Sequence, residues 1–402
     1  MKVLRLPAEG TPSEWGKLHG QMFRKEINEL VDIRLELSVK HGSFANADEA
    51  IKLAKFHLPV LMDFDRALHA EVMAIAAAAG CQPARLLLLN HFNDLWPLET
   101  RKAEKAVAIR VDSDVTEVED HAGIRPPEAD GVEEDAGPIA LGPPIEDCSS
   151  VMVRTPEGGF LGHVWDVHSS ARPYMMMMYV PVSGGSDPYG VKGVWAMSLT
   201  GCLGVMGIND AGVAVSTNGL SVNDSRIGVV WPAVVRRVLR ERTAKAGRDI
   251  ILNSPVGSGR HYSLADRSLA YGIETSGLYR RVVFGGPGRR YVHTNHALSP
   301  EISEVTVPAT GSTSHARYEH LMSDIKESPV SGAEDLWQRM GWSDGSPKSV
   351  CIKGPSDKGP HYTETNGGML ALLDKRQLWV ATGCLSGAEA QVFKFGDEGG
   401  ES

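Results

Sequence analysis

The chain has 402 residues, of which 42% are hydrophobic and 23% charged, an ordinary globular composition that allows one large or two ordinary domains. No run of about 18 apolar residues and no signal-peptide pattern occurs, so we expect a soluble, cytoplasmic protein without a membrane span. The five cysteines form no C-x-x-C pair, and their odd number argues against a disulfide framework or a structural zinc site.

The net charge of −9 originates in one segment. Between residues 111 and 147 there are 12 Asp or Glu and one basic residue, whereas the rest of the chain has 40 Lys and Arg (41 less one) against 38 acids (50 less 12). Nothing resembles a nucleic-acid-binding face. Residues 112–147 also contain five prolines and no periodicity, so we predict an exposed acidic loop.

Helices are predicted before this loop and mostly strands after it. Apolar residues recur every three or four positions over 13–40 and again over 47–80, where Gly80 suits a helix C-cap. From Cys148 onward, short apolar runs are separated by glycine turns. The predicted strands are 149–155, 160–168, MMMMYVPV, GVWAMSL, LGVMGIN, GVAVSTNG, 261–273, 280–284, 290–294, 349–353, 369–373, 377–382 and 391–395. Helices are predicted at 232–244, 313–325 and 333–340. This order indicates a layered α+β fold.

Cys148 begins a strand directly after the acidic loop. A cysteine is more often a small buried hydrophobe than a nucleophile, but its place at this boundary changes the expectation. If the bond before it were cut, Cys148 would carry both a thiol and a free α-amine. That amine, with an ordinary pKa of ~8, can accept the thiol proton near neutrality.

Several motifs together carry a resemblance to a known family. CSSVMV, GHVWDVHSS, GVAVSTNGL, YVHTNHALSP, the Ser314-x-x-Arg317 pattern and TNGGMLALLDKRQLWVATG occur in this order. Gly10, Gly16 and Gly20 precede them, with Gly10 at the entry to the first helix and the other two within it. In order and spacing the chain resembles the isopenicillin N acyltransferase family of N-terminal nucleophile hydrolases. The resemblance implies a four-layer αββα sandwich, no cofactor and no metal.

The resemblance also implies roles for individual residues. Cys148 matches the nucleophile, which the chain itself frees by cutting the Asp147–Cys148 bond. Asp166 matches the acid that orients the nucleophile and its amine. Asn218 and Asn295 match positions that line the oxyanion hole or hold the substrate amide. Arg317 matches an arginine that pairs with the acidic residue and the new N-terminus.

Physical chemistry agrees with these roles, and simpler interpretations stay open. Asp166 on a strand needs a partner, and the planar guanidinium of Arg317 can supply one. Alternatively, Asp166 is a strand-end cap, Asn218 begins a turn with Gly219, and Arg317 lies on a helix surface.

The histidines allow two further interpretations. His163, Asp166 and His168 are a weak metal pattern, because alternation on a strand turns His163 away from the other two. His293 and His296 flank Asn295 and could serve a cysteine in a papain-like way, although satisfied polar histidines are the simpler interpretation.

The sequence predicts an autoproteolytically activated amidohydrolase that cleaves a linear amide of a small N-acyl substrate through a thioester. Residues 1–147 would form a helical α-chain and 148–402 an associated catalytic β-chain. Acyl transfer from an acyl-CoA or amide donor to an amine is the alternative, and an unprocessed binding or scaffold relative is another. Asp147 departs from the glycine that many family members have before the nucleophile, which puts cleavage in question. Substrate identity and homo-oligomer formation are left open.

Overall fold

A computed structural model describes residues 1–41, 44–91, 147–182, 190–288, 290–307, 311–343, 345, 347–354 and 363–396. Apart from Asp147, the predicted acidic loop at 112–147 lies outside the described residues.

The described N-terminal residues are mainly helical. The helices are α1 (Pro12–Met22), α2 (Arg24–His41), α3 (Ala47–Lys55), α4 (His57–Phe64), α5 (Arg66–Ala79) and α6 (Pro83–His91). Thr11 and Glu14 form a capping box at the start of α1, with Pro12 in the first turn. Gly80 ends α5 with φ of 75°, as predicted.

The segment 47–80 was predicted as one helix and is three. The side chain of Asp65 accepts a hydrogen bond from Leu68 N (2.9 Å), so Asp65 starts a new helix inside the apolar pattern. No single helix of the described residues is long and apolar enough to cross a membrane; α5 and α6 reach that length only as a pair bent by 114°.

Fourteen strands occur in the described residues. In chain order they are β1 (Lys2–Arg5), β2 (Ser149–Thr155), β3 (Gly158–His168), β4 (Met175–Pro181), β5 (Gly193–Leu199), β6 (Met206–Asn209), β7 (Ala214–Gly219), β8 (Arg260–Ala265), β9 (Ala270–Thr275), β10 (Arg280–Gly286), β11 (Arg290–His293), β12 (Thr363–Leu372), β13 (Gln377–Thr382) and β14 (Gln391–Lys394). One sheet has the order β1-β4-β5-β6-β7-β8-β9-β10, and the other β11-β2-β3-β12-β13-β14.

Helices also interrupt the strands. They are α7 (Trp231–Val238), α8 (Ala244–Asn253), α9 (Pro300–Ser303), α10 (Ser314–Glu327) and α11 (Ala333–Met340), and a 3₁₀ helix spans Ser169–Tyr174. The helix predicted at 232–244 is too long, because Thr243 caps α8 through Ala246 N (3.2 Å). The strand predicted at 261–273 is two strands, β8 and β9, because Asp266 accepts hydrogen bonds from Ser268 N and Leu269 N and turns the chain.

The prediction of a strand at 349–353 is wrong. The backbone amides of Val350 and Cys351 both donate to the single carbonyl of Trp342, at 3.0 and 2.9 Å. Two consecutive amides that donate to one carbonyl are typical of a bend in the chain. In a strand, successive amides point to opposite sides and donate to different residues.

The two sheets pack face to face, with helices covering each outer surface. Strands β2 and β3 contact β7 and β8 of the eight-stranded sheet, α7–α8 cover that sheet, and α10–α11 cover the six-stranded one. Alternate residues of β2 therefore face opposite layers: Met152 lies in the core between the sheets, and Val151 packs beneath α10 and α11. The observed layers are the predicted αββα arrangement.

Close packing of α1 on α5 depends on two glycines. A Cβ on Gly16 would lie 2.3 Å from Glu71 O, and one on Gly20 would lie 2.4 Å from Ile75 O. The alanine-rich face of α5 lets the helices approach this closely, and residues at these positions other than glycine would push them apart.

A buried ion pair joins this helical layer to the part of the chain that follows residue 147. Arg236 on α7 donates to both carboxylate oxygens of Glu71 on α5, at 3.1 and 3.0 Å, and to Leu203 O at 2.8 Å. Both side chains are 2% exposed or less. Removing one partner would leave the other charge without compensation in the core.

We expect Glu71→Ala to lower the free energy of unfolding by about 3–5 kcal/mol, because it leaves the Arg236 guanidinium buried and unpaired. Urea unfolding followed by circular dichroism measures this. Asp249→Ala, which removes the partner of the more exposed Arg248 (2.8 Å), is the matched control and should cost ~1 kcal/mol or less. Equal small losses in both variants would contradict the prediction.

Candidate active site

The Asp147–Cys148 junction is fixed at the start of the hairpin formed by β2 and β3. Asp147 N donates to Asp166 O at 3.0 Å, which extends the pairing of β2 with β3 beyond Ser149. Cys148 is fully buried, belongs to the core between the sheets, and has its Sγ 3.9 Å from Asp166 O. Ser149 turns the opposite way, toward α10. The two residues next to the thiol therefore face the outer helices.

Arg317 of α10 holds both sides of this junction. Its Nη1 donates to Cys148 O (2.8 Å) and Ser149 Oγ (2.7 Å). Its Nη2 donates to Asp147 Oδ1 (2.9 Å) and Asn295 Oδ1 (3.1 Å). A fifth bond runs from Nε to Thr313 Oγ1 at 2.8 Å. A guanidinium has five N–H donors, so these five acceptors use them all.

Arg317 is therefore not the surface residue that the simpler interpretation allowed. Its side chain is 0% exposed and that of Asp147 8%, so their ion pair is almost dry. Burial raises the pKa of Asp147, and the neighbouring Arg317 charge opposes that rise. The observed carboxylate partner of Arg317 is Asp147, whereas the sequence suggested Asp166.

Asp166 lies on the outward face of β3 and is fully buried. Its Oδ1 accepts a hydrogen bond of 2.5 Å from Thr365 Oγ1 on β12, and its Oδ2 has no hydrogen-bond partner among the described residues. Burial raises the pKa of Asp166 well above its usual range, and the charge of Asp147 adds to that rise. Asp166 is thus neither a strand-end cap nor a solvated carboxylate.

Asn218 belongs to the other sheet, as the last residue but one of β7, and is paired there with His261 of β8 and not part of a turn. Its Oδ1 accepts from Ser150 Oγ at 2.9 Å and lies 3.1 Å from His261 Nδ1, while its Nδ2 is 3.5 Å from His293 O. Ser150 is two residues beyond Cys148 and faces the same side of β2. Asn218 is therefore linked to the Cys148 strand through a hydroxyl.

Asn295 connects the same two parts of the fold. Its Oδ1 accepts from Arg317, its Nδ2 donates to Gly219 O at 3.1 Å, and its backbone N donates to Ser314 Oγ at 2.7 Å. The structure thus places Asp147, Cys148, Asn295 and Arg317 in one hydrogen-bonded group. Asp166 joins it through its backbone carbonyl.

His293 and His296 are polar residues with hydrogen-bond partners of their own. The ring nitrogens of His293 lie 2.7 Å from Thr294 O and 2.8 Å from Glu274 Oε1, and the ring stacks on His261 at 3.5 Å. His296 Nδ1 is 2.8 Å from Ser314 Oγ. No group of three or more His, Cys, Asp or Glu in the described part of the chain is arranged to hold a metal ion.

His163 is the exception among these buried histidines. It lies opposite Ser150 in the pairing of β2 with β3, and neither of its ring nitrogens has a hydrogen-bond partner among the residues described. Burial lowers its pKa to about 3, so the ring is neutral. Asp166 faces the opposite side of β3, as alternation predicted.

We expect His163 to weaken the fold in acid. Folding lowers the pKa of His163 from ~6.5 in the unfolded chain to about 3. Its contribution to the free energy of unfolding is therefore complete above pH ~6.5, and it is lost at ~1.4 kcal/mol per pH unit as the pH falls toward about 3. His163→Gln should therefore lose less stability than wild type between pH 6.5 and 4.5, by ~2 kcal/mol in urea unfolding. His69→Gln, at a half-buried site, is the control. Parallel acid profiles for wild type and H163Q would contradict this.

A cavity of about 600 Å³ lies elsewhere in the sandwich. It is lined by Met1, Lys2, Arg172, Pro173, Met175, Thr382 and Gly383. Thr382 ends β13, which is three strands from β2 in the sheet order, or roughly 14 Å at the usual strand spacing. This volume suits a small ligand, but we do not assign the cavity to the group around Cys148.

Sequence reasoning missed three residues of this group: Ser149, Thr313 and Thr365. Ser149 follows Cys148 directly, and Thr313 lies one helical turn before Arg317, so local spacing could have indicated both. Thr365 is 199 positions from Asp166, and only the register of β12 against β3 brings them together.

Comparisons with known proteins agree with this architecture. The family model described as "Acyl-coenzyme A:6-aminopenicillanic acid acyl-transferase" matches residues 153–361, just over half of the chain. The chain belongs to this acyltransferase family. The resemblance stated from the sequence is thereby confirmed.

A curated relative supports the same assignment. The 40 kDa form of acyl-coenzyme A:6-aminopenicillanic-acid-acyltransferase from Emericella nidulans is 24% identical over 356 residues, covering 87% of this chain and 84% of the relative. Membership of this family indicates an enzyme of the acyltransferase kind.

Solved structures show more distant likeness. A conjugated bile acid hydrolase from Clostridium perfringens is 12% identical, with a TM-score of 0.41 over 62% of this chain and 97% of that one. Penicillin V acylase from Agrobacterium tumefaciens is 14% identical, with a TM-score of 0.34 over 61% and 84%. The fold class of this family member, an αββα sandwich of the α+β class, is shown by its own layers.

Proposed function

We propose that this protein is an autoproteolytically activated amidohydrolase whose nucleophile is the Cys148 thiol. The observation that carries the proposal is the set of contacts made by Arg317, which binds the side chain before the Asp147–Cys148 bond and the carbonyl after it. A buried guanidinium that hydrogen-bonds to both residues of one peptide bond holds that bond in a single geometry. Attack by the thiol on this bond within the same chain requires such a fixed geometry.

Cleavage would begin with attack of Cys148 Sγ on the carbonyl carbon of Asp147. The amide nitrogen of Cys148 takes up the thiol proton as the C–N bond breaks, and the acyl group passes to sulfur. Water then hydrolyses the thioester, leaving a carboxylate on Asp147 and a free α-amine on Cys148. Aspartate in place of glycine is compatible with this step, because Arg317 supports the Asp147 side chain.

Turnover would repeat the same chemistry on a substrate amide. The α-amine of Cys148, with an ordinary pKa of ~8, accepts the thiol proton, and the thiolate forms the acyl-enzyme. Asp166 and Arg317 would position the new N-terminus. The amide groups of Asn218 and Asn295 would support the oxyanion, a contribution typically worth ~3 kcal/mol per donor.

The α-chain (1–147) and β-chain (148–402) would stay associated after cleavage. Strand β1 pairs with β4 inside the eight-stranded sheet, from Lys2 opposite Met176 to Arg5 opposite Tyr179. The Glu71–Arg236 ion pair also joins the two parts. Separation would expose this edge and break the buried pair.

Hydrolysis of a small N-acyl amide is the function we propose first, and acyl transfer to an amine the second. The names of the family and of the Emericella nidulans relative favour transfer from an acyl-CoA donor. A cytoplasmic site of action is supported by the cysteines, all five of which are thiols in the structure.

Intact-mass measurement of the purified protein tests maturation. We expect two fragments that separate before Cys148 in wild type and a single intact chain in Cys148→Ala, because alanine has no nucleophile. Cys81→Ala, at a half-exposed thiol elsewhere, is the matched control and should still be cut. An intact wild-type chain that also resists acylation by thiol-directed reagents would support the non-catalytic alternative and overturn the proposal.

Product formation from N-acyl amines, N-acyl amino acids and β-lactams tests the reaction type in the processed protein. We expect free acid to appear without an added amine, because water can resolve the thioester. Cys148→Ala serves as the blank. A strict requirement for an acyl-CoA donor together with an amine acceptor would instead establish transfer.

A further inference from the structure

Two cysteines meet behind the candidate active site. Cys351 Sγ accepts a hydrogen bond from Leu385 N at 3.2 Å, which places its sulfur beside the residue that follows Cys384. Cys384 Sγ donates to Gly341 O at 3.7 Å, while Cys351 N donates to Trp342 O at 2.9 Å. Both cysteines therefore dock on the same turn at the end of α11. The neighbouring Cys384 side chain and burial both raise the pKa of the Cys351 thiol.

This pair lies close to Asp166. Ile352, the residue after Cys351, donates its N–H to Thr365 Oγ1 at 2.7 Å and accepts from Thr365 N at 3.1 Å. The hydroxyl of Thr365 in turn donates to Asp166 Oδ1 at 2.5 Å. Cys351 is thus connected to Asp166 through the backbone of Ile352 and the hydroxyl of Thr365.

We propose that Cys351 and Cys384 form a dithiol modification site, in which a peroxide or a low-molecular-weight disulfide converts them to a reversible disulfide that acts on Asp166 through Thr365. The two are on different segments, held together by contacts with a third. Joining them requires the two sulfur atoms to approach to ~2.05 Å.

The positions of the two thiols suit a two-step oxidation. Cys384 is half-exposed and Cys351 is buried, so Cys384 meets the oxidant first. Its sulfur attacks hydrogen peroxide, giving a sulfenic acid and one water. The Cys351 sulfur then attacks the Cys384 sulfur, expelling a second water. Two thiols and one peroxide become one disulfide and two waters, and a dithiol reductant reverses the change.

The disulfide should change how Asp166 is held. Drawing the Cys351 segment toward Cys384 moves Ile352, and with it the two hydrogen bonds that orient Thr365. The hydrogen bond from Thr365 opposes the rise in the pKa of Asp166 caused by burial, so a displaced Thr365 weakens that opposition. This effect on turnover rests on the proposed function, whereas the disulfide itself does not.

Peptide mapping of Cys148→Ala treated with hydrogen peroxide tests the site without any turnover. We expect a Cys351–Cys384 cross-linked peptide that disappears on adding dithiothreitol. The same treatment of Cys351→Ser or Cys384→Ser in this background should give none. Cys81, a half-exposed cysteine outside the pair, is the internal control. Peroxide that oxidises Cys81 while leaving Cys351 and Cys384 open to alkylation would overturn the site.

Turnover and maturation test the link to Asp166. Oxidised wild type should lose on the order of 10- to 100-fold in kcat/KM, the scale expected for a small misplacement of a catalytic group, and recover on reduction. After the same oxidation, Cys384→Ser should lose only the part of kcat/KM that direct oxidation of Cys148 removes. Cys81→Ser should lose as much kcat/KM as wild type. A mapped disulfide with an unchanged kcat/KM and pH profile would overturn the link. Absence of amide turnover in reduced protein would count against the proposed function and not against the mapped disulfide.

Discussion

The guanidinium of Arg317 is the group on which the arrangement of the site depends. It is fully buried, and five acceptors from three segments of the chain satisfy its five donors. A buried guanidinium with even one unmatched donor would be costly, so these acceptors must be in place together. Strand β2, the Asn295 turn and helix α10 are consequently fixed relative to one another around the Asp147–Cys148 bond.

Strand alternation divides the site between two layers. The Cys148 thiol faces the core between the sheets, with Ser150 and His163, whereas Asp147, Ser149 and Asp166 face the outer helices. The peptide backbone is the connection between these layers. In the proposed mechanism, Asp166 and Arg317 therefore act on the backbone of Cys148. The Cys148 thiol would receive the acyl group of the substrate on the opposite face of β2.

Buried polar groups in this fold are paired across long distances in sequence. Glu71 with Arg236 joins the helical layer to α7, and Thr365 with Asp166 joins β12 to β3. In each pair, the contact between the two groups compensates for the free energy lost when they are removed from water. Other packings of the same layers would lose this contact. His163 is the contrasting case, since its ring is neutral and its nitrogens have no partner among the described residues.

Local patterns in the sequence determined much of this protein. Apolar periodicity located most helices and strands, glycine turns separated β2 from β3, and Gly80 ended α5 as predicted. The order of the motifs identified the family, and Cys148, Asp166, Asn295 and Arg317 converge in the fold. Failures occurred where a single polar side chain overrides periodicity, as Asp65, Thr243 and Asp266 do by capping or turning the chain.

Tertiary structure alone decided which of these residues touch. Arg317 pairs with Asp147, Thr365 holds Asp166, and Cys351 accepts from Leu385 N, and each pair is joined by strand register or helix docking across many positions. Spacing within one element specifies which face a residue occupies, but contacts between elements depend on how the layers close over one another. For that reason the sequence predicted the site residues of the Asp147–Cys148 junction, and only the folded chain determined their partners.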